Sequence, residues 1–146
     1  MKFRFRLQKV LQLAELREDA AGKRLLAARM EAGNAAVSLQ EVREEFRAEG
    51  SAQTARLRGK LDFAAIIAGK GRLDLLQARV KQEEERVALW HSEVGARRDE
   101  LGQALKRRRV LEKLRERRWS QYREGEEHRE MLLLDEVSLW GKGGDV

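Results

Sequence analysis

The sequence predicts an all-α protein, a long two-helix antiparallel coiled-coil hairpin with a protruding C-terminal helical arm. Three observations predict it: a heptad-like apolar pattern, a composition that is 38% charged and only 5% aromatic, and the absence of proline. A charged share well above the usual value of about 25% leaves little bulky apolar material for a compact core, yet the periodicity argues against disorder. Because proline would interrupt a helix, its absence permits long helices. We therefore expect a single coiled-coil domain over residues 1–146.

The first predicted helix, about residues 5–49, carries an apolar stripe at alternating steps of four and three residues. Eleven of its twelve positions are apolar, and Glu18 is the exception. The stripe consists of Leu7, Leu11, Ala14, Glu18, Ala21, Leu25, Ala28, Ala32, Ala35, Leu39, Val42 and Phe46. An average step of 3.5 residues keeps a narrow stripe on one side of a helix, which suits a seam against one other helix.

Small and polar residues interrupt the heptads after this helix and predict a turn at about residues 50–56. Ser51 or Thr54 could cap the helix that follows. Rival break points are Gly59, Gly69 and Gly71. We favour 50–56 because apolar residues from Leu57 onward continue at helical spacing, so that the glycines at 69 and 71 would mark a change of register.

The second predicted helix, about residues 57–138, carries its own stripe, which weakens after Val94. The stripe consists of Leu73, Leu76, Val80, Glu83, Val87, Trp90, Val94, Arg97, Leu101, Ala104, Arg108 and Leu111. With a turn near residue 53, Leu7 would face about residue 99, and everything beyond would outrun its partner as an arm. We expect a frayed tail at 139–146. A parallel homodimer is the structural alternative.

Little in the sequence points to catalysis. There is no cysteine, and the two histidines, His91 and His128, are far apart in the chain. Residues 64–71 overlap a phosphate-loop spacing but lack its first glycine and its hydroxyl. Consecutive glutamates at 83–85 point in different directions on a helix. We therefore expect no enzyme activity, no cofactor, no metal site and no small-molecule substrate.

Residues 97–118 hold ten basic and four acidic side chains and form the strongest charge cluster. This cluster is interpreted as a solvated flank, as a docking surface for an acidic protein, or as a nucleic-acid surface. Acidic residues within and after the cluster argue against nucleic acid.

Two groups of apolar residues could bind other proteins. Phe63, Ile66 and Ile67 near the turn could pack on the first helix or form a partner-binding tip. Three aromatic residues are expected on the overhang without an intramolecular partner, where they would contact another protein or self-associate. These are Trp119, Tyr122 and Trp140.

Two motifs at the ends of the chain resemble the flagellar export protein FliJ family. The opening pattern is similar to the N-terminal signature of that family: Phe3-x-Phe5-x-Leu7-Gln8-x-Val10-Leu11. The late stretch at 111–118, LEKLRERR, followed by Tyr122 and then by Asp135-Glu136, resembles its C-terminal half. The resemblance covers essentially the whole chain.

The resemblance implies a non-enzymatic component of the flagellar type III export apparatus. Such proteins form an antiparallel coiled coil that sits as an axle in the hexameric export ATPase and promotes ring assembly and hydrolysis. They also contact the cytoplasmic domain of the export-gate membrane protein and escort flagellar export chaperones. The implied location is the cytoplasm, peripherally associated with the inner membrane at the flagellar base.

The resemblance also assigns candidate contact residues. Phe63 and Ile67 match the spacing of the face that contacts the export gate, whereas Lys70 and Asp74 depart from it. The end with both termini would enter the ATPase ring and meet its carboxylates through Gln8, Arg115, Arg117 and Arg118. The alternatives are the equivalent stalk of a virulence type III secretion system, a chaperone clamp, and a nucleic-acid-binding basic coiled coil.

Overall fold

The computed structural model describes residues 2–143 and contains two α-helices. These are α1 (Gln8–Arg56) and α2 (Phe63–Gly143), and no strand occurs within the described residues. Ion pairs between the helices show that they run antiparallel, since Arg43 meets Glu84 at 3.1 Å while Glu45 meets Arg79 at 3.7 Å. The predicted helical hairpin is therefore confirmed.

The core of the hairpin is the predicted α1 stripe. All eight apolar residues that are buried in the described part of the chain belong to it: Leu11, Ala14, Ala21, Leu25, Ala28, Ala35, Leu39 and Val42. The remaining stripe positions are half-buried, except Leu7, which is 38% exposed at the start of the helix. The 3.5-residue step thus selected the packed face correctly, because that face is all that a single neighbouring helix can cover.

The predicted α2 stripe is confirmed as well, but its side chains are half-buried and none is fully buried. The difference follows from size. Four of the buried α1 positions are alanines, and large α2 side chains such as Trp90 and Arg97 line one groove together with Ala28. A small residue is covered completely by a large neighbour, whereas the large side chain extends past the seam into solvent.

The chain divides into two compact units. The terminal unit comprises Met1–Asp19 with Gly102–Val146, and the turn unit comprises Ala20–Leu101. Each unit pairs a segment of α1 with a segment of α2. The candidate contact residues fall into both, so the units are described separately below.

The turn lies at residues 57–62, and the prediction of a turn at 50–56 was wrong. Gly50 and Ser51 continue α1, and the Thr54 hydroxyl donates a hydrogen bond to the Gly50 carbonyl at 3.0 Å within the helix. The chain reverses at Gly59, whose φ of 79° is readily adopted only by glycine. The predicted caps are replaced by Asp62, whose Oδ1 accepts from the Ala65 amide at 3.3 Å.

Moving the turn changes which residues face each other. In the terminal unit Glu18 pairs with Arg108, and Phe3 contacts Trp119. Leu7 is therefore level with about residue 117, and the expectation that it faces residue 99 was wrong. The part of α2 without an α1 partner begins after Tyr122, so the arm comprises residues 123–143, whose described side chains are nearly all exposed. Helix α2 continues to Gly143 through most of the expected frayed tail, and residues 144–146 lie outside the described residues.

A polar network closes the turn unit next to the connection. The Gln53 side-chain amide donates to the Ile66 carbonyl at 2.8 Å, and Arg56 donates to Gln53 at 3.0 Å and to Glu49 at 2.8 Å. Arg72 of α2 also donates to Glu49 at 3.2 Å. One carboxylate and one amide thereby tie the end of α1 to the start of α2.

Gly69 is the glycine of α2 over which the side chains of this network close. It is buried, and an added Cβ would collide with the side-chain ends of Gln53 and Arg56, whereas a Cβ at Gly71 meets nothing within 4 Å. Gly71→Ala should therefore raise the free energy of unfolding by up to about 1 kcal/mol through helix propensity. Gly69→Ala should lose most of that gain because the Gln53–Ile66 hydrogen bond contributes about 0.5–1.5 kcal/mol. Urea unfolding of both variants measures the difference, and equal gains would show that the collision carries no cost.

The same network makes the stability depend on pH through Glu49. Hydrogen bonds from Arg56, and then from Arg72, hold the pKa of the Glu49 carboxyl below its usual value. Its contribution to stability is therefore fully present above the pKa of the unfolded chain, about 4.3, and is lost as the pH falls through the lower folded-state pKa. Thermal melts between about pH 5 and pH 3 should show a smaller decline for Glu49→Gln than for the wild type. If the melting temperatures of Glu49→Gln and the wild type fall equally over this pH range, Glu49 does not cause the pH dependence.

Candidate functional site

The structure brings the predicted ring-contact residues to one end of the terminal unit. Gln8 is the first residue of α1, and its backbone N–H donates to the Phe5 carbonyl at 3.1 Å. The register set by the Glu18–Arg108 and Phe3–Trp119 contacts places Gln8 level with about residue 116 of α2. Arg115, Arg117 and Arg118 all lie exposed at this level. Residues more than 100 positions apart in sequence therefore lie at the same level of the terminal unit, and we call this level the candidate ring-contact surface.

The three arginines of this surface have no acidic partner within the described residues. In the turn unit Arg24, Arg43 and Arg79 pair with glutamates of the facing helix, whereas Arg29, Arg47 and Arg98 are unpaired but far apart in the chain. At 115–118 three exposed, unpaired arginines lie within four consecutive residues. An uncompensated cluster of this kind attracts an acidic surface.

Arg108, by contrast, belongs to the core seam. Its Nη1 donates to Glu112 at 2.7 Å, and its Nε donates to Glu18 on the facing helix. The hydrogen bonds to Glu112 and Glu18 raise the pKa of Arg108. Glu18, which interrupts the α1 stripe, therefore pairs with Arg108, one of the charged residues of the α2 stripe. Arg97 is similarly held by glutamates of its own helix, with Glu100 at 3.0 Å. Within the basic stretch at 97–118, Arg97 and Arg108 are therefore held in ion pairs, whereas the arginines at 115–118 make none.

An exposed apolar tip occupies the turn end of the turn unit. Phe63 is 70% exposed and Ile67 is 72% exposed, so neither packs on α1. Only Ile66 is half-buried. The connection adds two exposed leucines, Leu57 and Leu61, that sequence reasoning had assigned to a helix. The apolar tip therefore comprises Phe63, Ile67, Leu57 and Leu61. The two leucines were not recognised from the sequence because the turn was predicted too early in the chain.

Three aromatic rings form a cluster in the terminal unit that sequence reasoning missed. Phe3 lies 5.1 Å from Trp119 and 5.5 Å from Tyr122, and the last two rings stack at 5.9 Å between centroids. The expectation that Trp119 and Tyr122 lack an intramolecular partner was wrong, because the longer α1 brings the N-terminal segment opposite them. Trp140, on the arm, is 84% exposed.

The arrangement offers binding surfaces, namely the candidate ring-contact surface and the apolar tip. No cluster of three His, Cys, Asp or Glu side chains that could hold a metal occurs among the described residues. The turn unit has an open groove of about 260 Å³. It is lined by Arg24, Ala27, Ala28, Glu31, Trp90, Glu93 and Arg97. Within residues 2–143, neither helix contains a stretch apolar enough to cross a membrane.

Comparison with known proteins gives a family and a fold. A family model described as "Flagellar FliJ protein" matches residues 2–141. The solved structure of a YscO homolog, CT670 from Chlamydia trachomatis, is similar with a TM-score of 0.55 and 22% sequence identity. That match covers 97% of this chain and 94% of the other, and it shows a shared fold. No curated protein matches the sequence.

Proposed function

The chain belongs to the flagellar FliJ family, and we propose on this premise that it is a non-enzymatic central stalk of the hexameric flagellar export ATPase. In this role it promotes assembly of the ring and hydrolysis of ATP. It also links the ATPase to the export gate and to export chaperones, in the cytoplasm at the inner membrane beneath the flagellum.

The observation that carries the proposal is the surface formed by Gln8, Arg115, Arg117 and Arg118. Its arginines are exposed and lack acidic partners among the described residues, although other arginines of the hairpin are paired. Exposed ion pairs contribute about 0–1 kcal/mol each, so a ring that offers several carboxylates would bind through many weak contacts. Weak, replaceable contacts suit a stalk that must follow conformational changes of the surrounding subunits.

The apolar tip supports the second half of the proposal. Phe63 and Ile67 expose about 70% of their surface although they are large and apolar, and exposed apolar patches in soluble proteins often mark protein contacts. We assign Phe63 and Ile67 to the cytoplasmic domain of the export-gate protein. The adjacent Lys70 and Asp74 are exposed and would lie at the border of this contact.

The test is ATP hydrolysis by the purified flagellar ATPase of the same organism, with and without this protein, across a salt series. We expect stimulation that declines between about 0.1 M and 1 M salt, where the Debye length falls from about 10 Å to about 3 Å. Stimulation that does not change with salt would argue against an electrostatic ring contact. If the protein neither stimulates the ATPase nor co-migrates with the ring, the stalk proposal is overturned.

A second candidate is the equivalent stalk of a virulence type III secretion system. The fold similarity to the YscO homolog fits it, and the family match favours the flagellar system. Measuring both ATPases in parallel separates the two candidates. Stimulation of the virulence ATPase alone would favour the second.

A further inference from the structure

The N-terminal segment, residues 2–7, is fastened to α2 by an aromatic anchor. The ring of Phe3 meets Trp119 nearly edge-on, at an interplanar angle of 71°, and also lies against Tyr122. Offset and edge-on ring pairs at such separations are mutually attractive. Phe3 is half-buried as a result. The segment that precedes α1 therefore has a defined place on the terminal unit.

The sequence of this segment alternates basic and apolar residues. Phe3 and Phe5 are half-buried, while Lys2, Arg4 and Arg6 are exposed. Residues 2–5 have no regular secondary structure, and residues 6–7 form a turn that leads into α1. With Phe3 anchored and Phe5 half-buried, the three cations face solvent.

These cations lie close to the arginines of the candidate ring contact. Lys2 and Arg4 flank Phe3, and consecutive Cα atoms are about 3.8 Å apart. On α2, Arg118 directly precedes Trp119, and Arg115 lies about one helical turn before it. The two groups together are named the basic collar: Lys2, Arg4, Arg6, Arg115, Arg117 and Arg118.

The collar is uncompensated. Residues 2–9 and 113–118 hold eight basic side chains and one acidic side chain, a net charge of +7. None of the six collar residues forms an ion pair with another residue between positions 2 and 143. Its charge is therefore free for a partner.

We infer that Phe3 fastens the N-terminal segment so that its three cations and the three α2 arginines form one docking surface for an acidic protein. The inference rests on the proposed function and extends the ring contact to the N-terminal segment. Within the arm, residues 123–143 carry six acidic and three basic side chains. They would repel a continuous anionic surface such as a bilayer or a nucleic acid, whereas a folded partner can place its carboxylates opposite the collar alone.

The first experiment compares two triple variants with the same net charge. Lys2→Gln/Arg4→Gln/Arg6→Gln removes three collar cations. Lys23→Gln/Arg29→Gln/Arg47→Gln removes one lysine and two arginines that are exposed and unpaired in the turn unit. Binding to poly-L-glutamate should weaken about tenfold for the collar variant and less than about twofold for the control, since clustered ionic contacts add. Equal weakening would overturn the collar.

The second experiment tests the anchor without changing charge. Phe3→Ala should weaken poly-L-glutamate binding about threefold because the cations are then no longer held together, and Phe3→Tyr should restore it. A Phe3→Ala variant that binds like the wild type would show that the anchor does not organise the collar. Binding to anionic vesicles is measured in the same way. If the vesicles bind the wild type as strongly as poly-L-glutamate does, and the collar variant weakens both interactions equally, the partner is a membrane and not a protein.

The same variants are then assayed for stimulation of the export ATPase. Loss of stimulation with the collar variant, and retention with the control, supports the collar as part of the ring contact. If both triple variants stimulate the ATPase as much as the wild type does, the stalk function stands, but the collar has no part in the ring contact. If the wild type itself gives no stimulation, the stalk proposal fails, and the poly-L-glutamate comparison still decides whether the collar exists.

Discussion

Replacing Arg115, Arg117 and Arg118 together with glutamate is expected to abolish stimulation of the export ATPase at moderate salt while leaving the hairpin folded. All three side chains are exposed and make no ion pair within residues 2–143, so the fold does not depend on them. Each exposed ionic contact contributes about 0–1 kcal/mol, and reversal adds repulsion of similar size. A sum of about 1.4–4 kcal/mol, in the middle of the resulting range, corresponds to binding that is about 10- to 1,000-fold weaker. The measurements are ATP hydrolysis and co-sedimentation with the ring.

The matched control reverses three other exposed, unpaired arginines, Arg29, Arg47 and Arg98, all in the turn unit. It makes the same change in net charge and should retain most of the stimulation. Circular dichroism should show the same helix content for both variants. If both lose stimulation equally, the effect belongs to net charge, and the ring contact must lie elsewhere.

Leu11→Ala is expected to cause a large loss of stability for a single substitution at the seam. Leu11 is 1% exposed and is one of the two largest fully buried side chains. Truncating a buried leucine costs about 2–5 kcal/mol, and we expect the lower part of that range because the ends of a two-helix seam relax easily. The expected decrease in the free energy of unfolding is about 2–3 kcal/mol, measured by urea unfolding.

Leu16→Ala is the control for this experiment. It removes the same atoms from the same helix, but Leu16 is 65% exposed. Surface substitutions usually stay within about 0.5 kcal/mol, so little change is expected. If the two variants unfold alike, the packed face of α1 is not the one described. Leu11 also lies on the seam that holds both segments of the terminal unit, so its truncation should weaken ring binding indirectly.

The exposed residues of the candidate contacts could be predicted from the sequence, but the residues that surround them in the structure could not. Phe63 and Ile67 were assigned to the export gate because they match the spacing that the family resemblance implies, and the structure shows them exposed while leaving the contact itself a proposal. Leu57 and Leu61 were missed because the predicted turn placed them on a helix. The Phe3 cluster with Trp119 and Tyr122 was missed because its members are distant in sequence, although the alternation of residues 2–7 hinted at a segment with two faces.

The charged residues within the apolar stripes also show that the sequence did not reveal which residues meet. Glu18 and Arg108 were both identified as interruptions of the stripes, but the sequence did not show that they pair, because pairing depends on register. A buried or half-buried polar pair can specify one register at some cost in stability. With the turn at 50–56 the two residues would not have met. Their pairing in the structure agrees with the longer α1.

What the sequence determined by itself is the helical character and the packed face of each helix. Both follow from local periodicity, since a 3.5-residue repeat leaves only one stripe for a neighbour. The tertiary structure decided the turn and therefore every facing pair. A glycine within a helix costs only about 1 kcal/mol, so Gly50 and Gly59 compete nearly equally in local energy. Shifting the turn of an antiparallel hairpin displaces each facing residue by twice the shift. The contacts summed along both helices, together with the positive φ of Gly59 and the Asp62 cap, select the observed register.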